Sequence, residues 1–146
     1  MKSVLIIGMG RLGHHLCKNL AEMGNEVMIV DRDEESMQDI LSVAMMAKVG
    51  DCTKEDVLRS LGVGNFDICF VCISSDFQSS LEITSLLKEL GAAYVVSKAN
   101  RDIQAKFLLR NGADEVIYPE RDVAERAAIK YGSNKVFDYI EMAEGY

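Results

Sequence analysis

Two periods of apolar and polar residues take turns along this chain. Ser3 to Ile7 is a nearly continuous apolar run that predicts a buried strand, and Arg11 to Met23 then places Leu12, Leu16, Leu20 and Met23 on one helical face before Gly24. The alternation continues with a strand over Glu26 to Val30, a helix over Glu34 to Leu41 and a short strand over Ala47 to Val49. Lys54 to Leu61 reads as a helix opened by Thr53-x-x-Asp56 and closed by Gly62. The β-branched and aromatic run Ile68 to Ile73 predicts a fourth strand. Ser75-x-x-Gln78 has capping-box spacing ahead of a helix whose Ile83, Leu86, Leu87 and Leu90 share a face, with Gly91 as its stop. Tyr94 to Ser97, a helix from Asp102 to Arg110 and Val116 to Tyr118 complete six strands separated by helices. Short connections of this kind predict an α/β chain with a parallel sheet covered on both faces.

The 146 residues fit one such fold, and 49% hydrophobic content supplies its core. Stretches free of charge, Ile40 to Ala47 among them, reach eight residues, far short of a membrane span, and the N-terminus enters a strand with no leader-like apolar region. The expected location is cytoplasmic. Sixteen basic against 23 acidic residues give a formal charge of −7, which argues against nucleic acid as a partner. Four cysteines, Cys17, Cys52, Cys69 and Cys72, include one motif-like pair. Residues 69 and 72 lie three apart on a strand, so their sulfurs point to opposite faces, and the expectation is four reduced structural thiols.

Candidate chemistry begins at Gly8-Met9-Gly10-Arg11-Leu12-Gly13, between the first strand and the first helix. There the first glycine makes the turn, the second lets a pyrophosphate approach the backbone and the third lets helix pack on sheet. Asp31 ends the second strand, where a carboxylate accepts hydrogen bonds from ribose hydroxyls and repels a 2′-phosphate, while Arg32 beside it tolerates one. This loop narrows the fold to a Rossmann-like doubly wound parallel six-stranded sheet of order 3-2-1-4-5-6. Ligands of such sheets lie beyond the carboxyl ends of the strands, which makes Asp51, Cys52, Cys72, Ile73, Ser74, Lys98 and Glu120 candidates. His14 and His15 read as helix surface or interface. A dehydrogenase needs a second domain and a proton-transfer group, and the sequence reads as a nucleotide reader more readily than a nucleotide consumer.

After Tyr118 the pattern changes. Pro119 can open a crossover helix with Val123, Ala124, Ala127 and Ala128 on a narrow stripe, and Val136-Phe137-Asp138-Tyr139-Ile140 is strongly apolar. Residues 1–118 therefore read as the nucleotide-binding domain and residues 119–146 as a crossover and dimerisation segment, with a second copy as the simplest partner for the tail and packing on its own sheet as the other.

The glycine loop, Val30-Asp31, Gly50-Asp51-Cys52-Thr53, Val71-Cys72-Ile73, Leu87-Lys88-Glu89-Leu90-Gly91, Lys98-Ala99-Asn100 and above all Gly112-Ala113-Asp114-Glu115-Val116-Ile117-Tyr118-Pro119-Glu120 together resemble the RCK N-terminal (KTN, TrkA-N) domain of cytosolic potassium-transport regulators, of the KtrA type. The resemblance implies a ligand-gated switch without catalysis, which binds NAD(H) or ATP and ADP and gates a membrane potassium uptake system. It implies a homodimer built through the crossover helix, an octameric ring, a membrane transporter subunit as partner and a place at the inner face of the plasma membrane. It also implies roles: Gly8, Met9, Gly10, Leu12 and Gly13 in the phosphate loop, Arg11 on phosphates, Asp31 with Arg32 at the adenosine ribose, and Asp51 and Cys52 beside adenine. Cys72, Ile73 and Ser74 would form the floor, Lys98 would meet phosphate or the distal ribose, and Glu120 would place a divalent cation beside ATP. Cys72 and the Phe77-Gln78-Ser79-Ser80 stretch depart from the family pattern, and the second regulatory domain usual in the family is absent from these residues. The competing expectation is a nucleotide-binding fragment of an NAD-dependent oxidoreductase.

Overall fold

The computed structural model describes residues 1–74 and 76–133. Its strands are β1 (Ser3–Ile7), β2 (Glu26–Asp31), β3 (Met46–Val49), β4 (Ile68–Val71), β5 (Val95–Lys98) and β6 (Glu115–Ile117). Its α-helices are α1 (Arg11–Glu22), α2 (Glu55–Leu61), α3 (Phe77–Glu89), α4 (Asp102–Arg110) and α5 (Pro119–Gly132). The six strands form one sheet in the order β3-β2-β1-β4-β5-β6, every pair parallel, as the glycine loop and the alternation predict.

Alternation within β1 divides the core. Leu5 and Ile7 join Val30, Cys69, Val71 and Val95 under Leu58, Ile83 and Leu87 of α2 and α3. Val4 and Ile6 point the other way and join Val27 and Ile29 under Cys17 of α1, with Met37 and Ile40. Cys69 lies in the first cluster and Cys72 in the second, so the paired thiols diverge as expected, and all four cysteines are free and buried. A third cluster, Ala99, Ala105, Leu108 and Ala113, seats α4 on the β5–β6 end of the sheet.

Several local expectations are corrected. Residues 34–40 form a 3-10 helix rather than an α-helix, because Asp33 accepts the Glu35 N–H and the Ser36 hydroxyl donates to the Asp33 carbonyl, which tightens the turn. The Thr53-x-x-Asp56 box does not form: the N-cap of α2 is Lys54, without a side-chain bond, and Thr53 turns back to Asp51. Asp76, not Ser75, caps α3, and Ser75 lies outside the described residues. Met23 is the C-cap of α1 and 77% exposed, so the buried face of that helix is carried by Gly13 and Cys17 with Leu12, Leu16 and Leu20 beside them. The fourth strand ends at Val71, two residues early, and the fifth and sixth are shifted by one residue. The predicted crossover helix is α5, whereas the Val136 to Ile140 tail lies outside the described residues.

Candidate functional site

Where β1 and β4 lie side by side, the chain leaves the sheet in opposite directions, to α1 on one face and α3 on the other, and opens a cleft of about 360 Å³. Gly8 is the hinge of this opening. Its φ of +96° is disfavoured for any side chain, and a Cβ there would stand 2.9 Å from the Cys72 carbonyl carbon. Gly13 is equally constrained, since its Cβ would lie 2.3 Å from the Gly8 carbonyl oxygen, so helix α1 rests directly on the loop that precedes it. Gly10 differs, for its nearest neighbour is the Ser74 hydroxyl at 3.4 Å and the space above its backbone is open toward the cleft.

Backbone bonds bind the strand ends around this opening. The Gly8 N–H donates to the Val30 carbonyl at 2.9 Å and the Cys72 N–H to the Ile7 carbonyl at 2.8 Å. Asp31 completes the frame: its Oδ2 accepts the Met9 N–H at 2.7 Å and its Oδ1 the Asp33 N–H at 2.8 Å. The carboxylate is thereby fixed against the loop before any ligand arrives, with lone pairs left for hydroxyl donors. Across the cleft, Asp51 Oδ1 accepts both the N–H and the hydroxyl of Thr53, at 3.0 and 2.7 Å, and these bonds hold its carboxyl below the usual carboxylate range. Asp76 accepts from the Gln78 N–H and the Ser79 hydroxyl, at 3.0 and 2.6 Å, and the Ser79 hydroxyl is the main cause of its own lowered pKa. The Arg32 charge acts on both Asp51 and Asp76.

The two helices that flank the cleft therefore differ in polarity. Helix α3 begins with the Gln78 N–H of its first turn capped by the Asp76 carboxylate. Helix α1 begins at Gly10 with no side-chain cap and no acidic residue in its first turn, so its positive pole is open to an anion. Phosphate oxygens suit that end, and hydroxyl donors suit the carboxylates of Asp31 and Asp51. The two cysteines at the cleft are chemically quiet. Burial, with the Asp51 and Asp31 charges, pushes the Cys52 thiol up to about 12, and burial alone pushes the Cys72 thiol up to about 12.

Of the residues singled out from sequence, Gly8, Met9, Gly10, Asp31, Arg32, Asp51, Cys52, Cys72, Ile73 and Ser74 line this one cleft. Arg11, Leu12, Gly13, Lys98 and Glu120 do not line it. Arg11 is exposed at the first position of α1, Leu12 packs into the core, and Gly13 acts through its contact with Gly8. Lys98 reaches the rim, where its ammonium donates to the Ser74 hydroxyl at 2.8 Å. Glu120 is exposed in the first turn of α5, and among the described residues no three His, Cys, Asp or Glu side chains converge as a metal site would require. Sequence reasoning missed Asp33, Ser36, Thr53, Asp76 and Ser79, all of which line the cleft. The Asp-x-Thr turn after the third strand and an aspartate before a helix were the available signals for Thr53 and Asp76.

Comparison with known proteins places the chain. It is 43% identical over 143 residues to the Ktr system potassium uptake protein C of Bacillus subtilis (strain 168), and 37% identical over 145 residues to protein A of the Ktr system in the same strain. These matches cover 98% and 99% of the chain but 65% of each relative, so the chain spans slightly less than two thirds of their length. Among solved structures, the NAD(P)-binding domain of an exopolyphosphatase-related protein from Archaeoglobus fulgidus superposes with a TM-score of 0.79 at 21% identity, over 90% of this chain and 98% of that one. GsuK bound to ADP superposes with a TM-score of 0.74 at 16% identity, over 88% of this chain and 34% of that one. The GsuK channel bound to NAD gives 0.72 at 16%, over 86% and 23%. At these identities the structures establish the shared fold. The TrkA-N domain family matches residues 4–119, and the chain belongs to that family.

Proposed function

We propose that this chain is the nucleotide-sensing part of a regulatory subunit that gates a membrane potassium uptake system, and that it performs no catalysis. The observation that carries the reading is the cleft itself: an uncapped helix pole and an Asp31 carboxylate held against the glycine loop by the Met9 N–H border one opening, the donor end and the acceptor that the phosphate and ribose of an adenine nucleotide call for. Relatives that share the whole of this chain are potassium uptake proteins, and structures of the same fold hold ADP and NAD. The AMP moiety common to ATP, ADP and NAD(H) fits the cleft in one pose, with adenosine toward Asp31, Asp51 and Cys52 and phosphates over Gly8 to Gly13. Arg11 and Lys98, at the rim, reach the distal phosphates or the second ribose. The ligand then acts as a switch only through its different affinity for two arrangements of the assembly.

The assembly in this reading is a homodimer through α5, built up to an octameric ring on the cytoplasmic face of the membrane. Helix α5 supports it by what it leaves uncovered, since none of its described residues is buried and Val123 and Tyr131 are 66% and 79% exposed. Glu120 offers one carboxylate at the start of that helix, so a divalent cation there would need its remaining ligands from ATP and from a second copy. Isothermal titration with ATP, ADP, NAD and NADH, with and without magnesium, tests the reading. Binding of ATP and ADP at least as tight as NADH supports it. Binding confined to NAD(H) leaves a redox-sensing regulator and the oxidoreductase fragment both standing, and no binding of any of them removes the sensing role.

A further inference from the structure

His14 stands one turn into α1, behind the glycine loop, and both of its ring nitrogens are engaged. Nδ1 lies 2.9 Å from the Gly10 carbonyl oxygen and Nε2 lies 2.9 Å from Asp39 Oδ1. A carbonyl and an ionised carboxylate only accept, and a neutral imidazole has a single N–H, so both bonds can exist together only when the ring is the doubly protonated imidazolium. One partner, Gly10, lines the cleft, and the other, Asp39, lies on an element that reaches it. Gly10 begins α1, and its carbonyl also accepts the His14 backbone N–H at 3.0 Å. Asp39 sits near the end of the 3-10 helix, whose first turn contributes Ser36 to the lining, three residues after Asp33.

Resting on the nucleotide-sensing reading, we propose that His14 is a positioning residue: as an imidazolium it straps the glycine loop to the 3-10 helix and adds positive charge behind the phosphate end of the cleft, so that nucleotide binds more tightly in acid than in alkali. Asp39 is the charged side chain that faces the ring from the 3-10 helix, the glycine loop faces it with the Met9 and Gly10 carbonyls, and Arg11, His15 and Lys18 share its helix. Burial opposes the charge, but the Asp39 bond, the Gly10 carbonyl and the Asp39 charge outweigh it and hold the His14 pKa above its ordinary value, while Asp39 is held below its own. The sign follows. With the bound-ring pKa raised, the strap is complete below about pH 6.5 and is lost as pH rises through the raised value. A phosphate over the loop favours the charged ring, and by linkage the charged ring favours phosphate.

The test is titration with ADP from pH 5.5 to 8.5 for the chain as it stands and for His14→Gln, Asp39→Asn and the exposed control His15→Gln. Subtracting the His14→Gln profile removes the titration of the ADP phosphate itself. The proposal expects affinity in the unaltered chain and in His15→Gln to fall, relative to His14→Gln, by about three- to fivefold across the range, the scale of a partly exposed ion pair. Asp39→Asn should move the fall to lower pH, because the ring loses the carboxylate that favours its charged form, and its surface position keeps the fold intact if the histidine variant is damaged. Parallel profiles in all four proteins overturn the strap while leaving the nucleotide site in place. Absence of ADP binding at every pH in the unaltered chain overturns the strap, and failure of ATP, NAD and NADH as well overturns the sensing reading with it.

Discussion

Helices α3 and α5 are almost equal in length, 13 and 14 residues, yet they stand in opposite relations to the fold. The first buries Ser80, Ile83, Thr84 and Leu87 against the sheet, with the Thr84 hydroxyl 2.7 Å from that of Ser97. The second buries none of its side chains, although its root is firmly anchored: Arg121 stacks 3.5 Å over the Tyr118 ring and reaches Asp102, which also accepts the Tyr118 hydroxyl. Among the described residues, a helix fixed at one end and without a buried side chain is not needed to close the core. The comparison separates residues that make the domain from residues it presents outward, and the cleft proposed to hold nucleotide lies with the first group.

The largest effect should come from the buried helix. Leu87→Ala leaves a cavity at a fully buried site and should cost about 2–5 kcal/mol by denaturant titration, whereas Val123→Ala on α5 should stay within about 0.5 kcal/mol in the isolated chain. If the two losses were equal, α5 would belong to the core and the contrast would be lost. Next comes Gly8→Ala, which forces a side chain into positive φ and against Cys72. A loss of about 1–3 kcal/mol together with loss of nucleotide binding is expected, and retention of binding would detach the glycine loop from the ligand. Smallest in stability but decisive for assembly is Val123→Asp. It should leave the melting temperature nearly unchanged and shift the sedimentation profile toward monomer, and an unchanged profile would move the dimer contact away from α5.

Most of the frame was legible because it follows from periods of two and 3.6 and from the spacing of glycines. Strand β1, the loop and Asp31 are adjacent in sequence, so their roles survive without tertiary knowledge. The misreadings share one cause, competition by short polar side chains. Thr53 has the composition of a helix cap but finds Asp51, and Ser75 has capping-box spacing but Asp76 takes the cap. Strand β4 ends at Val71 because Ile7, its last partner on β1, is followed by Gly8 at positive φ, where β1 turns away; nothing local to Cys72 announces that break. The missed cleft residues Asp33, Ser36 and Ser79 become neighbours only when β2 and β4 are brought to either side of β1. His14 was legible as helix surface, but its partner Asp39 lies 25 positions away and needed the fold to be seen.

The most direct test of the central claim is amide hydrogen exchange with and without AMP, the fragment shared by every nucleotide considered. The account predicts protection on AMP binding confined to Gly8 to Gly13, Asp31 to Asp33, Asp51 to Thr53 and Cys72 to Ser74, with α4 unaffected. Protection elsewhere, or none at saturating AMP, would contradict the assignment of this cleft as the nucleotide site.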